Sequence, residues 1–143
     1  MKREIKFKAK SLETSEWVYG SYLNLGMGLH FIKENCHCVL KDNFGFYTDN
    51  LIQIDPETLC QCIGYNDVVF ADIYEGDLFR DISDTFYWQI YWNVFKSAYW
   101  VKSSFGLEEP FANIFSITSK IEGNIIDNKE LFLNKKEGIQ NVN

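Results

Sequence analysis

Apolar and polar residues alternate along several short segments of this chain, and turn-forming residues separate the segments. The clearest case is residues 3–9, where every second residue is apolar. An alternation of period two predicts a strand with one buried face. The predicted buried face carries Ile5, Phe7 and Ala9, and the predicted outer face carries Glu4, Lys6 and Lys8. We expect the basic outer face to meet solvent and to protect an edge strand by its charge.

The remainder of the N-terminal half also reads as short strands joined by turns. Residues 17–25 predict a second strand, and the glycines flanking Met27 permit a tight turn into a returning strand at 29–33. Residues 36–40 and 44–47 predict a further pair. Asp55 before Pro56 predicts the cap and first position of a short helix. Residues 59–63 then predict a strand that ends at Gly64.

The C-terminal half begins with an acidic region at 67–84 and continues with two aromatic strands, predicted at 86–92 and 98–102. Residues 107–121 are ambiguous: Ile114, Ile117 and Ile121 have helical spacing, but Pro110 limits how early a helix can begin. A last short strand is predicted at 123–126.

Composition supports a folded, mainly β protein. Apolar residues make up 46% of the 143 residues and aromatic residues 17%, and Phe and Tyr are frequent in half-buried strands. A chain of this length forms one domain or two small lobes. We predict an N-terminal β-strand lobe at 1–54, a second β region at 55–132 with few short helices, and a polar tail at 133–143.

The charge of the chain disfavours nucleic acid as a partner. The net charge is −6; residues 1–41 carry +3 and residues 42–143 carry −9. Affinity for phosphate comes largely from Lys and Arg, which an acidic protein has in deficit. Neither a signal peptide nor an apolar run long enough to span a membrane is apparent. We therefore expect a cytoplasmic protein with reduced cysteines and no membrane contact.

Four segments, taken in order, resemble the YopX-like family of phage and prophage proteins. The segments are Arg3-Glu4-Ile5-Lys6-Phe7-Lys8-Ala9, Trp17-Val18-Tyr19-Gly20, Gln61-Cys62-Ile63-Gly64 and Ile73-Tyr74-Glu75-Gly76-Asp77-Leu78. The resemblance implies the host cell cytoplasm as location and a mostly β fold whose C-terminal portion is a small SH3-like barrel. It implies no catalytic residues. The motif positions that it marks as structural are Trp17, Gly20, Gln61, Gly64, Tyr74, Glu75, Gly76 and Asp77.

The chain departs from the family pattern between the two central segments. Members often have a Gly-containing, Lys-rich turn there, whereas residues 65–72 contain neither residue type. We therefore expect Val68, Val69 and Phe70 to be more exposed than is usual in the family.

Two groups of residues invite a metal or catalytic interpretation. The pairs Cys36/Cys38 and Cys60/Cys62 lack the spacing of common zinc modules, and buried reduced cysteines are the simpler interpretation. Glu75 and Asp77 flank Gly76, and two close carboxylates can act as acid and base or hold a cation. Acidic residues beside glycine more often satisfy backbone N–H groups in a turn. We predict no metal and no cofactor.

The candidate binding residues are basic or aromatic. The basic face could meet the acidic 67–84 segment of a second copy, and exposed aromatics in 87–100 could form a protein interface or stack on bases. The residues selected are Lys6, Lys8, Trp88, Trp92 and Trp100. The leading hypothesis is a non-catalytic protein-binding module that forms a homo-oligomer or binds a basic host or phage protein. The alternatives are nucleic-acid binding and a metal-dependent enzyme that uses residues 72–81.

Overall fold

A computed structural model of the chain describes residues 4–34, 51–81 and 83–133. Strands take up 49% of these residues and helices 11%, so the protein is mainly β. The strands are β1 Phe7–Lys10, β2 Trp17–Asn24, β3 His30–Glu34, β4 Leu51–Gln53, β5 Cys60–Asn66, β6 Asp72–Tyr74, β7 Asp77–Arg80, β8 Trp88–Asn93, β9 Ala98–Lys102, β10 Glu108–Pro110 and β11 Lys120–Asn124. The helices are a 3-10 turn at Pro56–Thr58, α1 Phe111–Ile114 and α2 Lys129–Leu133.

The chain divides into two compact units, Met1–Cys62 and Ile63–Asn143, called unit 1 and unit 2 below. The predicted strands at 36–40 and 44–47 lie outside the described residues, as do residues 134–143 of the predicted tail. None of the helices in the described ranges has the length and apolar character needed to cross a membrane.

Unit 1 is built on antiparallel strands that pack around a small core. The strand order of their sheet is β4-β3-β2-β1-β5-β6, of which β1 to β4 and the first residues of β5 belong to unit 1. Residues 10–12 and 53–55 meet beyond the strand ends: the Leu12 N–H donates to the Gln53 carbonyl at 3.0 Å, and the Asp55 N–H to the Lys10 carbonyl at 2.9 Å. The alternating residues that fill the core are Ala9, Val18, Ile32 and Ile54. The predicted cap is confirmed, because Asp55 Oδ1 accepts the Glu57 N–H at 3.0 Å.

The prediction of a solvated basic edge on β1 is wrong at Lys8. This strand pairs with β2 on one side and β5 on the other, so it is not an edge. Lys8 is only 6% exposed, and its Nζ lies 4.6 Å from the centre of the Trp17 ring. A long aliphatic stem and a cation over an indole ring make this burial tolerable. Ile5, predicted to be buried, is exposed.

Unit 2 is built on a five-stranded antiparallel sheet of order β10-β9-β8-β7-β11. The predicted aromatic hairpin is present as β8 and β9, with Tyr91 opposite Trp100. Strand residues from this sheet share one core with Ile63 of β5 and Ile73 of β6. Other core members are Phe79, Trp88, Ile90, Val101 and Phe111. The strands in the described part of the chain form two sheets and close no barrel.

The ambiguous region 107–121 is only briefly helical. It forms β10, the single turn α1 directly after Pro110, and the start of β11. Pro110 therefore limits the helix as expected. The helical spacing of the isoleucines does not reflect a helix, because Ile117 lies in a loop and is 91% exposed.

Candidate protein-binding surface

The predicted binding residues differ widely in exposure. Lys6 and Lys8 belong to unit 1, where Lys6 is half-buried and Lys8 buried. The three tryptophans belong to unit 2, where Trp88 is buried, Trp100 half-buried and Trp92 exposed. Lys8 and Trp88 thus offer little surface to a partner.

The aromatic cluster of β8 and β9 is divided between the two faces of the sheet. Trp92 makes a T-shaped contact with Tyr99, with ring centres 4.9 Å apart. On the other face, the Nζ atom of Lys96 lies 5.9 Å from the Trp100 ring centre, and that of Lys102 lies 5.1 Å from the Tyr91 ring centre. The rings on this face already have the chain's own cations over them.

Tyr91 has an acidic partner that affects its titration. Its hydroxyl donates to Glu108 Oε1 at 2.9 Å. Desolvation raises the pKa of Tyr91 above its ordinary value of 10.0, and the hydrogen bond and the charge of Glu108 raise it further. Because the pKa of Tyr91 is higher in the folded chain than in the unfolded chain, its neutral hydroxyl stabilises the fold at pH values below the unfolded-state pKa. That contribution is lost as the pH rises through the folded-state pKa.

We expect Glu108→Gln to lower the pKa of Tyr91 towards 10, since glutamine removes the negative charge that opposes ionisation. The ring carbon signal of labelled Tyr91 in an NMR titration above pH 9 measures this pKa. Glu109→Gln is the matched control, because Glu109 precedes Pro110 on the same strand and alternation directs it to the other face. Equal pKa values for Tyr91 in both variants would contradict the assignment of the shift to Glu108.

The segment Glu75-Gly76-Asp77 forms the turn between β6 and β7. Gly76 has φ +85°, and Asp77 Oδ2 accepts the Tyr74 N–H at 2.8 Å. The backbone of Gly76 is bonded at both ends, to the Ile90 carbonyl and to the Ile125 N–H, each at 2.8 Å. The buried Asp77 carboxylate thus stabilises the turn, which favours the structural interpretation.

Metal-ligating residues do not cluster in the described ranges. No group of three or more His, Cys, Asp or Glu side chains there has an arrangement that could hold an ion. Cys60 and Cys62 are buried, and the Cys60 thiol donates to the Thr58 carbonyl at 3.4 Å. Cys36 and Cys38 lie outside the described residues.

The other motif positions lie within strands. Trp17 begins β2 and has the Lys8 and Lys10 ammonium groups over its ring. Gln61 lies opposite Phe7 in the pairing of β5 with β1. The expected strand end at Gly64 is not observed, since β5 continues through it to Asn66 with Gly64 at φ +86°.

One exposed apolar group in unit 2 spans two neighbouring loops. We call it the apolar loop pair, and its members are Val68, Val69, Phe70 and Ile117. Phe70 is 87% exposed and Ile117 is 91% exposed, and both valines are also exposed. Residues 68–70 are exposed, while the predicted difference from the YopX-like family stays a prediction. The Val68 N–H donates to the Ser119 carbonyl at 3.2 Å, which joins the two loops.

Asp67 holds the first of these loops in place. Its Oδ1 accepts the N–H groups of Val69 at 3.0 Å and Ala71 at 2.9 Å. Its Oδ2 accepts the N–H of Ile121 in β11 at 3.1 Å. Phe70 has φ +62°, a conformation that costs a bulky residue energy. A buried carboxylate with three backbone donors can impose such a conformation.

Hydroxyl groups hold the second loop. Ser119 is buried, and its Oγ accepts the Ser116 N–H at 3.0 Å. Ser116 Oγ in turn accepts the Thr118 N–H at 3.3 Å. Ile117 therefore projects from a loop whose backbone is bonded on both sides of it.

Two other turns also expose large apolar side chains. Met27 at the β2–β3 turn of unit 1 is fully exposed and has φ +56°. Val94 and Phe95 at the β8–β9 turn are exposed as well, with Asn93 Oδ1 accepting the Phe95 N–H at 3.1 Å. The apolar loop pair differs from both turns because its residues come from two loops that a backbone hydrogen bond joins.

The side chains of the apolar loop pair offer a partner apolar contact surface. An aromatic side chain fixed in one position can fill a pocket on a partner without losing much further freedom. Sequence reasoning named Val68–Phe70 but missed Asp67 and Ile117 as parts of this surface. An Asp directly after a strand, at the start of a turn, is the signal that could have identified Asp67.

No protein-family model matches the chain, and no curated protein matches it.

Proposed function

We propose that this chain is a non-catalytic protein-binding module that contacts its partner through the apolar loop pair. The observation that carries the proposal is the combination of exposure and fixation at Val68–Phe70 and Ile117. Preorganised apolar anchors lower the entropy cost of binding. Aromatic residues are also enriched at the centres of protein interfaces.

The proposed partner is a basic protein. Residues 63–133 carry eleven Asp or Glu side chains against five Lys or Arg. Complementary charge raises association rates and suppresses partners of like charge. Lys96 and Lys102 lie over the chain's own aromatic rings, so a protein partner is favoured over nucleic acid.

We also propose that the chain belongs to the YopX-like family. Membership implies an accessory role for a phage or prophage in the cytoplasm of the host cell. Its support is the order of the four motif segments and the turn at Tyr74–Asp77, which the family resemblance marks as structural. The SH3-like barrel is part of the same proposal. It is supported by one core in unit 2 that draws on β5, β6 and the five-stranded sheet.

The test is a comparison of captured proteins with two matched double variants as bait. Phe70→Ser with Ile117→Ser removes two exposed anchors of the apolar loop pair, and Val94→Ser with Phe95→Ser removes two exposed apolar residues elsewhere in unit 2. We expect the first variant to lose a stoichiometric partner by about tenfold or more. The second variant is expected to retain it.

Thermal unfolding of both variants should match the unaltered chain, because exposed substitutions change stability by only about 0.5 kcal/mol. Sedimentation of each purified protein measures self-association separately. A homo-oligomer that the first variant disrupts would make a second copy the partner. Equal capture by all three baits, with unchanged sedimentation, would contradict the proposed contact surface.

A further inference from the structure

Unit 1 contains a groove of about 460 Å³ that none of the predicted binding residues lines. This volume is in the range of sites that hold a small molecule or a side chain, about 300–1,000 Å³. Its walls come from β3, from β4 and from the residues that follow β1. The lining residues that matter here are Leu12, Glu13, Phe31, Leu51, Ile52 and Gln53.

Backbone contacts fix both walls of the groove. Phe31 of β3 is the register partner of Gln53 in β4. The Leu12 N–H donates to the Gln53 carbonyl at 3.0 Å, which links the turn after β1 to β4. Ser11 Oγ accepts the N–H groups of Glu13 at 3.2 Å and Thr14 at 3.3 Å. These hydrogen bonds hold both the β3–β4 wall and the wall formed by the turn after β1, so more than one segment of the chain sets the shape of the groove.

Both apolar and polar side chains line the groove. Leu12, Phe31, Leu51 and Ile52 make it apolar, while Glu13 contributes a carboxylate and Gln53 an amide. Within the described part of the chain, no Lys or Arg forms an ion pair with Glu13. A ligand that complements this lining has an apolar stem and a cationic end.

We propose that this groove binds the side chain of one arginine or lysine in a basic segment of a protein partner. The aliphatic stem of such a side chain can cover Phe31 and Leu12, while its charged end reaches Glu13. Unit 1 carries eight Asp or Glu against seven Lys or Arg, so the attraction of a basic segment to the groove rests on the Glu13 carboxylate itself. An anionic ligand would meet the Glu13 carboxylate and be disfavoured.

The groove and the apolar loop pair are independent sites. Every groove residue lies in unit 1, whereas the apolar loop pair lies in unit 2. The proposal about the groove goes beyond the proposed contact at Phe70. Variants in one site leave the other intact, so the two proposals fail separately.

The experiment is an NMR titration of the complete ¹⁵N-labelled chain with acetyl-Gly-Ala-Arg-Ala-Gly-amide. We expect the backbone amides of residues 11–13, 31 and 51–53 to shift, with a Kd on the order of 1 mM for so small a ligand. A peptide with citrulline in place of arginine keeps the shape and removes the charge. It is expected to bind about threefold to fivefold more weakly.

Glu13→Gln should weaken the arginine peptide by about the same factor. Glu16→Gln is the matched control, because Glu16 is an exposed glutamate of the same β1–β2 connection that does not line the groove. The control should bind as the unaltered chain does. The proposal is overturned by an absence of shifts at 10 mM peptide, by equal binding of the citrulline peptide, or by equal effects of the two variants.

Discussion

Replacing Gly20 by alanine is expected to destabilise unit 1 by about 3 kcal/mol or more. A Cβ atom at this position would lie 1.9 Å from the carbonyl oxygen of Lys33 and 2.8 Å from its carbonyl carbon. Both atoms belong to the backbone of β3, so no change of rotamer relieves the contact. Because small proteins are stable by about 5–15 kcal/mol, this is a large share of the total.

Urea unfolding followed by circular dichroism measures the loss, and hydrogen exchange of β1–β3 amides locates it in unit 1. Gly28→Ala is the matched control, because Gly28 also has a positive φ, +78°, but its Cβ would meet nothing within 4 Å. The control should lose only about 1 kcal/mol of unfolding free energy from backbone strain. If the two variants lose the same amount, β3 moves away at little cost and the steric explanation fails.

Asp67→Ala is expected to lower the free energy of unfolding by about 3 kcal/mol. The change leaves three backbone N–H groups, those of Val69, Ala71 and Ile121, without their acceptor. A buried donor without a partner costs about 1–3 kcal/mol, and water can reach some of these groups at the exposed loop. Amide exchange at the three donors should accelerate along with the loss of stability.

Asp67→Asn tests the two carboxylate oxygens separately. Oδ1 accepts the N–H groups of Val69 and Ala71, and Oδ2 accepts the N–H of Ile121. Asparagine keeps an oxygen for Val69 and Ala71 but places an amide group at the position that faces the Ile121 N–H. We expect a smaller loss of unfolding free energy, about 1–2 kcal/mol, with faster exchange mainly at Ile121. Asp72→Asn is the control at an exposed site, with an expected effect of about 0.5 kcal/mol. Asp67→Ala behaving like this control would contradict a structural role for Asp67.

The strands that sequence patterns predicted well are those whose partner is close in the chain. The β8–β9 hairpin was predicted to within two residues, because its strands and its turn at residues 93–97 are contiguous. The same is true of β2 and β3, where Gly26 and Gly28 mark the turn. In such hairpins the alternation, the turn residues and the pairing all derive from one short stretch of sequence.

Two of the failures, the exposure expected for Lys8 and the missed role of Asp67, concern pairings between distant segments. Alternation in β1 indicates two different faces but cannot reveal that β5, about fifty residues later, covers the second edge of the strand. The burial of Lys8 follows from that pairing and from the position of Trp17. The bond from Asp67 to Ile121 joins residues 54 positions apart, so no local pattern could have identified it.

The contact between residues 10–12 and 53–55 also governs the order in which unit 1 can form during synthesis. At about 5–20 residues per second, a ribosome needs about 2.5–10 s to extend the chain from Lys10 to Cys60, where β5 begins. During that interval β1 and β2 can pair, but the far side of β1 has no β5 to bond. A nascent chain arrested before residue 60 would present an open strand edge to other chains. We expect such truncated chains to aggregate or to recruit chaperones, whereas chains that extend through β5 can cover this edge of β1.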